Sequence, residues 1–350
     1  MLARWRGAMA REPLGVVLTA GLGTRLRPIT PHTPKPLVPL LNRPLIGYAL
    51  DLLALLGLRE IAVVVGPEDA TTAEVARDHA PPGVTVTEAV QHEPNGPGDA
   101  VASVGAALED RTVAVLAVDT VLSGADPALL RRFEETGAAA GLLLQAVEDP
   151  RAFGVALLEG DRIVDLEEKP EQPRSNLALV GLWLLAPEAV ERVRTNPFIN
   201  AKGESDLTAT VAVLLEEGRD LRGWTLDGEW LDGGTLEGLL HAQSRLLPGI
   251  EGGDASALAA NGNEVSGAVI AAEGARVRES RIVGPALIGA GAAVEGCSLV
   301  ETVVGANAAI EDAELIRALV EPGARLSGGS YTDVVVTAGG EVAGPGLVGA

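Results

Sequence analysis

The chain has 350 residues, with 27 Lys and Arg against 48 Asp and Glu and a formal net charge of −21. That acidic excess argues against nucleic acid and anionic membrane as partners, because both call for a basic footprint. Hydrophobic residues at 47% and charged residues at 21% give core enough for two domains; four Trp, two Tyr and three Phe are too few for a stacking platform, and a single cysteine, Cys297, excludes a disulfide framework and a Cys-based zinc site.

No apolar run reaches the roughly 20 residues of a membrane span. The opening MLARWRGAMA lacks the apolar centre of a signal peptide, so the expected compartment is the cytoplasm. Only three of the 27 basic residues are lysine, Lys35, Lys169 and Lys202. A chain that otherwise uses arginine keeps lysine where a compact, rotatable ammonium is needed, as against phosphate.

From Pro13 to Leu246 short aliphatic runs alternate with helical stretches. Strands are predicted at Gly15 to Thr19, Glu60 to Val65, Val84 to Glu88, Thr112 to Val118, Gly141 to Val147, Gly154 to Leu158 and Leu177 to Leu185. Helices are predicted at Pro44 to Leu56, Asp99 to Leu108, Ala128 to Glu135, Asp206 to Glu217 and Leu236 to Leu246. The alternation reads as an α/β, Rossmann-like domain on a mostly parallel sheet, with ligands at the carboxyl ends of the strands. The predicted organisation is a catalytic domain over 13–246, a Gly- and Ala-rich linker over 247–261 and a repeat domain over 262–350.

In the repeat domain aliphatic residues fall at Ile288, Val294, Val300, Val304, Ile310, Ile316, Val320, Leu326, Val336, Val342 and Val348, in steps of six, six and four, with Thr332 the one break. Small residues recur every 16 positions, at Gly291, Asn307, Gly323 and Gly339. Such a hexapeptide repeat predicts a parallel β-helix in which each coil buries its apolar side chains by stacking on the next. The step of four implies a tightened corner or a shortened side on every coil. Ordinary sandwich strands are the alternative.

The strongest local signal is GVVLTAGLGTRLRPITPHTPKPLVPLL, Gly15 to Leu41. A buried strand delivers the chain into a loop where Gly21 and Gly23 let backbone N–H groups approach phosphate. Arg25 and Lys35 add charge along a stretch punctuated by Pro28, Pro31, Pro34 and Pro36. The pattern lacks the G-K-S/T ending of a P-loop and the third glycine of a Rossmann loop.

These residues resemble the sugar-1-phosphate nucleotidylyltransferases, which begin with a strand, a G-x-G-T-R-L loop and a P-K-P-L segment. The resemblance continues through QHEPNG (Gln91 to Gly96), AVDT (Ala117 to Thr120), Phe153 to Leu185, GESDLT (Gly203 to Thr208) and WLDGGT (Trp230 to Thr235). It is nearest to the longer glucose-1-phosphate thymidylyltransferases, which carry a C-terminal left-handed β-helix. The resemblance implies transfer of a nucleotidyl group to a sugar-1-phosphate with release of pyrophosphate, from dTTP and glucose-1-phosphate. The alternatives are a UTP- or GTP-dependent enzyme acting on another hexose-1-phosphate, or a non-catalytic regulatory relative.

It also implies roles for single residues. Thr19, Ala20, Gly21, Gly23 and Thr24 line the nucleotide, with Gln91 and Gly96 reading the base. Arg25, Lys35 and Lys169 are the catalytic cations. Gly154, Glu168, Lys169, Leu179 and Lys202 take the sugar phosphate, and Gly181 lines the sugar. Asp119 and Asp232, at strand ends, hold Mg²⁺, a hard cation that takes one or two carboxylates plus substrate phosphates. Gln91 matches the amide-like edge of thymine or uracil, but a glutamine also pairs with adenine or guanine edges.

Departures from the family pattern accompany these matches. Thr19 stands where alanine is usual and adds a hydroxyl near the phosphates. Thr120 replaces an asparagine that helps to read a sugar hydroxyl, which makes glucose less secure. Lys202 stands in place of arginine, and Ala209 in place of aspartate. An acyltransferase reading of the β-helix needs a histidine base, and His32, His79, His92 and His241 all lie before it. The tail is then expected to serve homo-oligomer assembly or regulation.

Overall fold

The structure, a computed structural model, describes residues 11–250, 258–259 and 262–345. The opening decapeptide, most of the predicted linker (251–257, 260 and 261) and Val348 lie outside the described residues. The chain divides into two compact units that do not follow it in order. One comprises the residues up to Gly21 with Ile46–Trp230, and the other comprises Leu22–Leu45 with the residues from Leu231 onward.

In the first unit the strands are β1 (Leu14–Leu18), β2 (Glu60–Val65), β3 (Thr85–Val90), β4 (Val113–Ala117), β5 (Thr120–Ser123), β6 (Ala140–Ala146), β7 (Gly154–Glu159), β8 (Arg162–Glu168), β9 (Leu177–Leu185) and β10 (Leu221–Thr225). All but β5 form one sheet in the order β3-β2-β1-β4-β9-β6-β10-β8-β7. The predicted parallel sheet is found in β3-β2-β1-β4 and again between β6 and β10. The remaining neighbours depart from it: β9 runs antiparallel to β4, β6 and β7, and β8 runs antiparallel to β7 and β10. Only two residues, Gly160 and Asp161, join β7 to β8, and so short a connection permits nothing but antiparallel pairing.

The helices are α1 (Leu45–Leu55), α2 (Thr72–Asp78), α3 (Pro97–Ala102), α4 (Leu129–Thr136), α5 (Pro187–Thr195) and α6 (Leu207–Glu216). The single helix predicted over Asp99 to Leu108 is instead α3 followed by a short turn at Gly105–Leu108, because Gly105 takes a positive φ of 71°. Asp206 caps α6, its carboxylate accepting from the Ala209 N–H at 2.9 Å. Val16, Val64, Val115, Leu142 and Leu185 of the sheet pack with Val101, Val190, Leu207 and Val211 of the helices. Each such buried side chain stabilises the fold by about 1.5–3 kcal/mol, and the sheet is thereby a rigid frame for the loops at its edge.

The second unit holds α7 (Leu236–Leu246), capped by the Thr235 hydroxyl on the Gly238 N–H at 3.0 Å, and the β-helix. Three sheets form its walls, and every pairing between successive coils is parallel until Val342–Ala343 folds back antiparallel on Val335–Val336. On one wall the repeat is 17 residues twice, Glu264 pairing with Arg281 and Arg281 with Ser298, and 16 residues thereafter, Ser298 pairing with Glu314 and Glu314 with Ser330.

One side of the predicted repeat is out of phase by one residue. The inward side chains there are Leu299 and Leu315, both fully buried, and the half-buried Tyr331, rather than Val300, Ile316 and Thr332. The inward steps are therefore six, five and five, and the apparent break at Thr332 disappears because Thr332 points outward. Directly after these strands Glu301, Arg317 and Asp333 take positive φ values of 49°, 49° and 54°. That left-handed residue is the tightened corner that the shortened step requires. Among the described residues no helix is long and apolar enough to cross a membrane.

Candidate active site

In the first unit β1 ends at the start of the glycine loop. Thr19 is buried, and both its N–H and its hydroxyl donate to the Val64 carbonyl, at 3.1 and 2.5 Å. The extra hydroxyl thus ties β1 to β2. A Cβ built on Gly21 would meet no protein atom within 4 Å, so nothing inside the fold demands glycine there.

Gln91 follows β3, anchored by its N–H on the Val65 carbonyl at 2.9 Å, and is buried. Its side-chain Nε2 donates both hydrogens within the protein, to the Gly96 carbonyl at 3.0 Å and to Asp99 Oδ2 at 2.9 Å. Two acceptors on one side fix the amide's orientation, leaving Oε1 as the group Gln91 can offer a ligand. The sequence singled out Gln91 and Gly96 but missed Asp99; the signal was an acidic residue in the first turn of α3, eight positions on. Gly96, with φ 97°, lets the loop pass close to the hairpin before α6, where a Cβ would lie 2.6 Å from the Ser205 carbonyl oxygen.

Asp119 is half-buried at the junction of β4 and β5, between the buried Val118 and Thr120. Thr120 donates its hydroxyl to the Val180 carbonyl at 2.9 Å, so it fastens β5 to an irregular stretch of β9. Gly181 in that stretch has φ 82°, and a Cβ there would lie 2.5 Å from Thr120 Oγ1. Gly181→Ala is expected to destabilise the unit by about 2 kcal/mol, from left-handed strain plus overpacking, and thermal unfolding checks it.

Of the predicted sugar residues, Gly154, Glu168, Lys169 and Leu179 come together. Gly154 and Glu168 are cross-strand partners in β7 and β8. A Cβ on Gly154 would lie 3.1 Å from Glu168 Oε2, 3.0 Å from Thr208 Cγ2 and 3.6 Å from Leu179 Cβ. Lys169 takes a positive φ of 47°, its N–H bonded to the Phe153 carbonyl at 3.0 Å and its Nζ 2.6 Å from Glu168 Oε1. An exposed pair of this kind contributes little stability, so the ammonium is free to exchange its carboxylate partner for a phosphate. Phe153 in turn packs edge-on against Trp230, with ring centroids 4.9 Å apart. Lys202 lies on an exposed hairpin turn, where Asn200 Oδ1 accepts from its backbone N–H at 2.9 Å.

The second unit carries the other candidates. Gly23, at φ 60°, starts a short turn over Thr24–Leu26 that presents Thr24 and Arg25 outward while Leu26 and Ile29 are buried. A Cβ on Gly23 would lie 2.9 Å from Thr30 and 3.0 Å from Lys35, and Thr30 also bonds the Gly23 carbonyl, so here the fold itself requires glycine. Lys35 begins a second short turn after Pro34, with Pro36 buried beneath it. Asp232 is half-buried, and its Oδ1 accepts from the Gly234 N–H at 2.9 Å.

Among the described residues no group of three or more His, Cys, Asp or Glu is arranged to hold a metal. A cation on Asp119 or Asp232 would be completed by phosphate and water oxygens, which is the coordination Mg²⁺ favours. The hard-oxygen donors fit that ion and not a soft metal.

In the first unit, a strand that leads on to Gly21 and a glutamine amide held in one orientation are features of a nucleotide-handling α/β fold. Residues 14–248 match the family described as Nucleotidyl transferase, and the chain belongs to that family. The glucose-1-phosphate thymidylyltransferase of Streptomyces antibioticus is 37% identical over 283 residues, covering 79% of this chain and 78% of the other. Its namesake in Streptomyces griseus is 34% identical over 281 residues, covering 80% and 78%. A Bacillus anthracis crystal structure, titled as a glucose-1-phosphate thymidylyltransferase with sucrose, matches with TM-score 0.60 and 29% identity, covering 66% of this chain and 93% of that one. The chain is thus a sugar-1-phosphate nucleotidyltransferase, an enzyme that joins a nucleoside triphosphate to a sugar-1-phosphate.

Proposed function

We propose that the substrates are dTTP and glucose-1-phosphate, and the products dTDP-glucose and pyrophosphate. The observation that carries the base is the orientation of Gln91. The group it has left to offer, Oε1, is an acceptor, which matches the ring N–H of thymine, uracil or guanine and opposes the ring nitrogens of cytosine and adenine, which accept. Thymine over uracil and guanine, and glucose as the sugar, follow the names of the relatives.

In the reaction an oxygen of the sugar phosphate attacks the α-phosphorus, a new P–O bond forms, and the bond to pyrophosphate breaks. Arg25 bridges oxygens of the leaving pyrophosphate, and Lys35 neutralises the α-phosphate. The backbone from Thr19 to Thr24 lines the triphosphate, and the open space at Gly21 lets a phosphate approach the main chain. Lys169 grips the sugar phosphate, with Lys202 as a second cation, and Glu168 accepts from sugar hydroxyls beside Gly154 and Leu179. Asp119 and Asp232 hold Mg²⁺, which when bound neutralises phosphate charge. Catalysis is then alignment and charge neutralisation by groups already in place.

The same reading places the enzyme in the cytoplasm, where nucleoside triphosphates are made. It also makes it a homo-oligomer, since the end of a solenoid is commonly covered by another subunit.

Pyrophosphate release with Mg²⁺ tests this, using dTTP, UTP, GTP, CTP and ATP against glucose-, mannose-, galactose- and N-acetylglucosamine-1-phosphate. Release is expected chiefly from dTTP with glucose-1-phosphate. Release confined to CTP or ATP overturns the base reading, and silence from folded protein overturns the reaction. In Asp99→Asn the lock on Gln91 loosens, and the preference for dTTP over CTP is expected to fall about tenfold.

A further inference from the structure

One wall of the β-helix differs from the others. In the wall containing Ala293–Glu295 and Ala309–Glu311 the central side chain is buried and the flanking glutamates are exposed, as a solvent-facing wall requires. In the wall of Val303–Val304, Leu319–Val320 and Val335–Val336 both residues of every strand are buried. Alternation puts Val303, Leu319 and Val335 on the outer face, so that face too is covered.

Three side chains outside the β-helix donate hydrogen bonds to this wall. Gln243 of α7 donates to the Ala318 carbonyl at 2.8 Å. Asn42 donates to the Val304 carbonyl at 3.1 Å, from a two-residue turn in which Leu41 and Asn42 both have positive φ. Thr33 donates its hydroxyl to Glu321 Oε1 at 3.1 Å. Thr33 and Asn42 flank Lys35 in the chain, and they are held by successive coils. Glu321 is 1% exposed. Its other oxygen accepts from the Ala338 N–H at 3.0 Å, tying the carboxylate into the next coil. Burial pushes this carboxyl above the usual range, against the pull of the two hydrogen bonds and of His32. A polar group so costly to bury is kept here only with both oxygens satisfied, and one of its two partners is the loop.

We infer that Glu321 is a positioning residue for nucleotidyl transfer: through Thr33 it fixes the backbone that presents Lys35, so the β-helix serves as the seat of the catalytic loop. The kinetic part of this rests on the function proposed above. The mechanical part does not. The carboxylate takes no proton from substrate and touches none of the reacting atoms; it sets where the loop rests.

The test compares Glu321→Ala, Thr33→Val, the double variant and Glu321→Gln with wild type in the full chain. Gln keeps an acceptor for Ala338 and can donate to the Thr33 hydroxyl, so it is the conservative variant. Thr302→Val serves as control, since the buried Thr302 hydroxyl donates to the Val300 and Leu315 carbonyls and accepts from the Ala318 N–H, all within the β-helix and none on the loop. Two readouts are taken, steady-state kinetics and hydrogen exchange over residues 22–41.

Glu321→Ala and Thr33→Val are expected to lower kcat about tenfold with KM for the sugar phosphate within about twofold. The double variant is expected to be no worse than the poorer single one, because both remove one contact. Glu321→Gln should stay within about twofold of wild type, and Thr302→Val should lower Tm with kcat unchanged. Exchange over 22–41 should quicken in Glu321→Ala alone among the Glu321 variants. A Glu321→Ala protein that loses Tm while its kcat and loop exchange match wild type overturns the inference. If wild type releases no pyrophosphate from any substrate pair, the proposed function fails, and exchange still decides whether Glu321 holds the loop.

Discussion

In Asp119→Asn, turnover of dTTP and glucose-1-phosphate is expected to fall on the order of 10³-fold or more, a barrier increase of about 4 kcal/mol, with the fold intact. Asn has the size of Asp and retains one of its acceptor oxygens, so the frame around position 119 has no reason to move. Val118 and Thr120 on either side are buried, and the Thr120 hydroxyl still ties β5 to the Val180 carbonyl. What disappears is a full negative charge at the carboxyl end of β4. A hard divalent cation binds through such charge, and an amide oxygen is a poor replacement. The check is kcat measured across a Mg²⁺ titration beside a thermal melt. Raised metal demand or lost turnover at an unchanged Tm supports the assignment, and near-normal turnover in well-folded protein removes it.

The elements that handle phosphate were legible because glycine and proline punctuate the chain wherever the loop departs from regular structure. Gly23 illustrates this, since its positive φ and its contact with Thr30 and Lys35 leave no room for a side chain. The strand over Leu177–Leu185 was equally plain, being apolar throughout as a strand buried on both faces must be. Two strands of the large sheet escaped notice for opposite reasons. In β8 the register shifts between Ile163 and Asp165, which destroys the alternation that marks a half-buried strand. In β10 Gly223 reads as a breaker, yet it sits where a Cβ would meet Leu158, Leu144 and Ile163 within 3.2 Å, so glycine is what lets the sheet pack.

The phase of the β-helix was hidden for a different reason. Leu299 with Val300 and Leu315 with Ile316 are adjacent aliphatic pairs, and either member satisfies an apolar period. Only the left-handed corners at Glu301 and Arg317 decide which one turns inward. Partners far apart in the chain were the least legible. Nothing in the order of residues joins Thr33 to Glu321, and a buried carboxylate looks the same in sequence as an exposed one. Thr19 and Thr120 are similar, because the carbonyl partner of each hydroxyl lies on another strand far along the chain.

Arg25→Ala is expected to lower kcat/KM for dTTP by about 10²- to 10³-fold, with Tm almost unchanged. Arg25 stands exposed on the turn that Gly23 and the buried Leu26 hold in place. Among the described residues its guanidinium makes no hydrogen bond or ion pair, in a chain whose net charge is −21. Elsewhere in the same chain arginines find carboxylates readily, as Arg317 does with both oxygens of Asp333 at 2.7 Å. A cation that folding leaves unpaired costs little to remove from the fold, so the loss should fall on the ligand. Arg25→Lys separates charge from shape. A lysine restores the charge as a point and cannot span two phosphate oxygens at once, so it should recover only about tenfold of the loss. Full recovery by lysine would mean that charge alone matters at this position, and an alanine variant within threefold of wild type would mean that the leaving pyrophosphate is held by other groups.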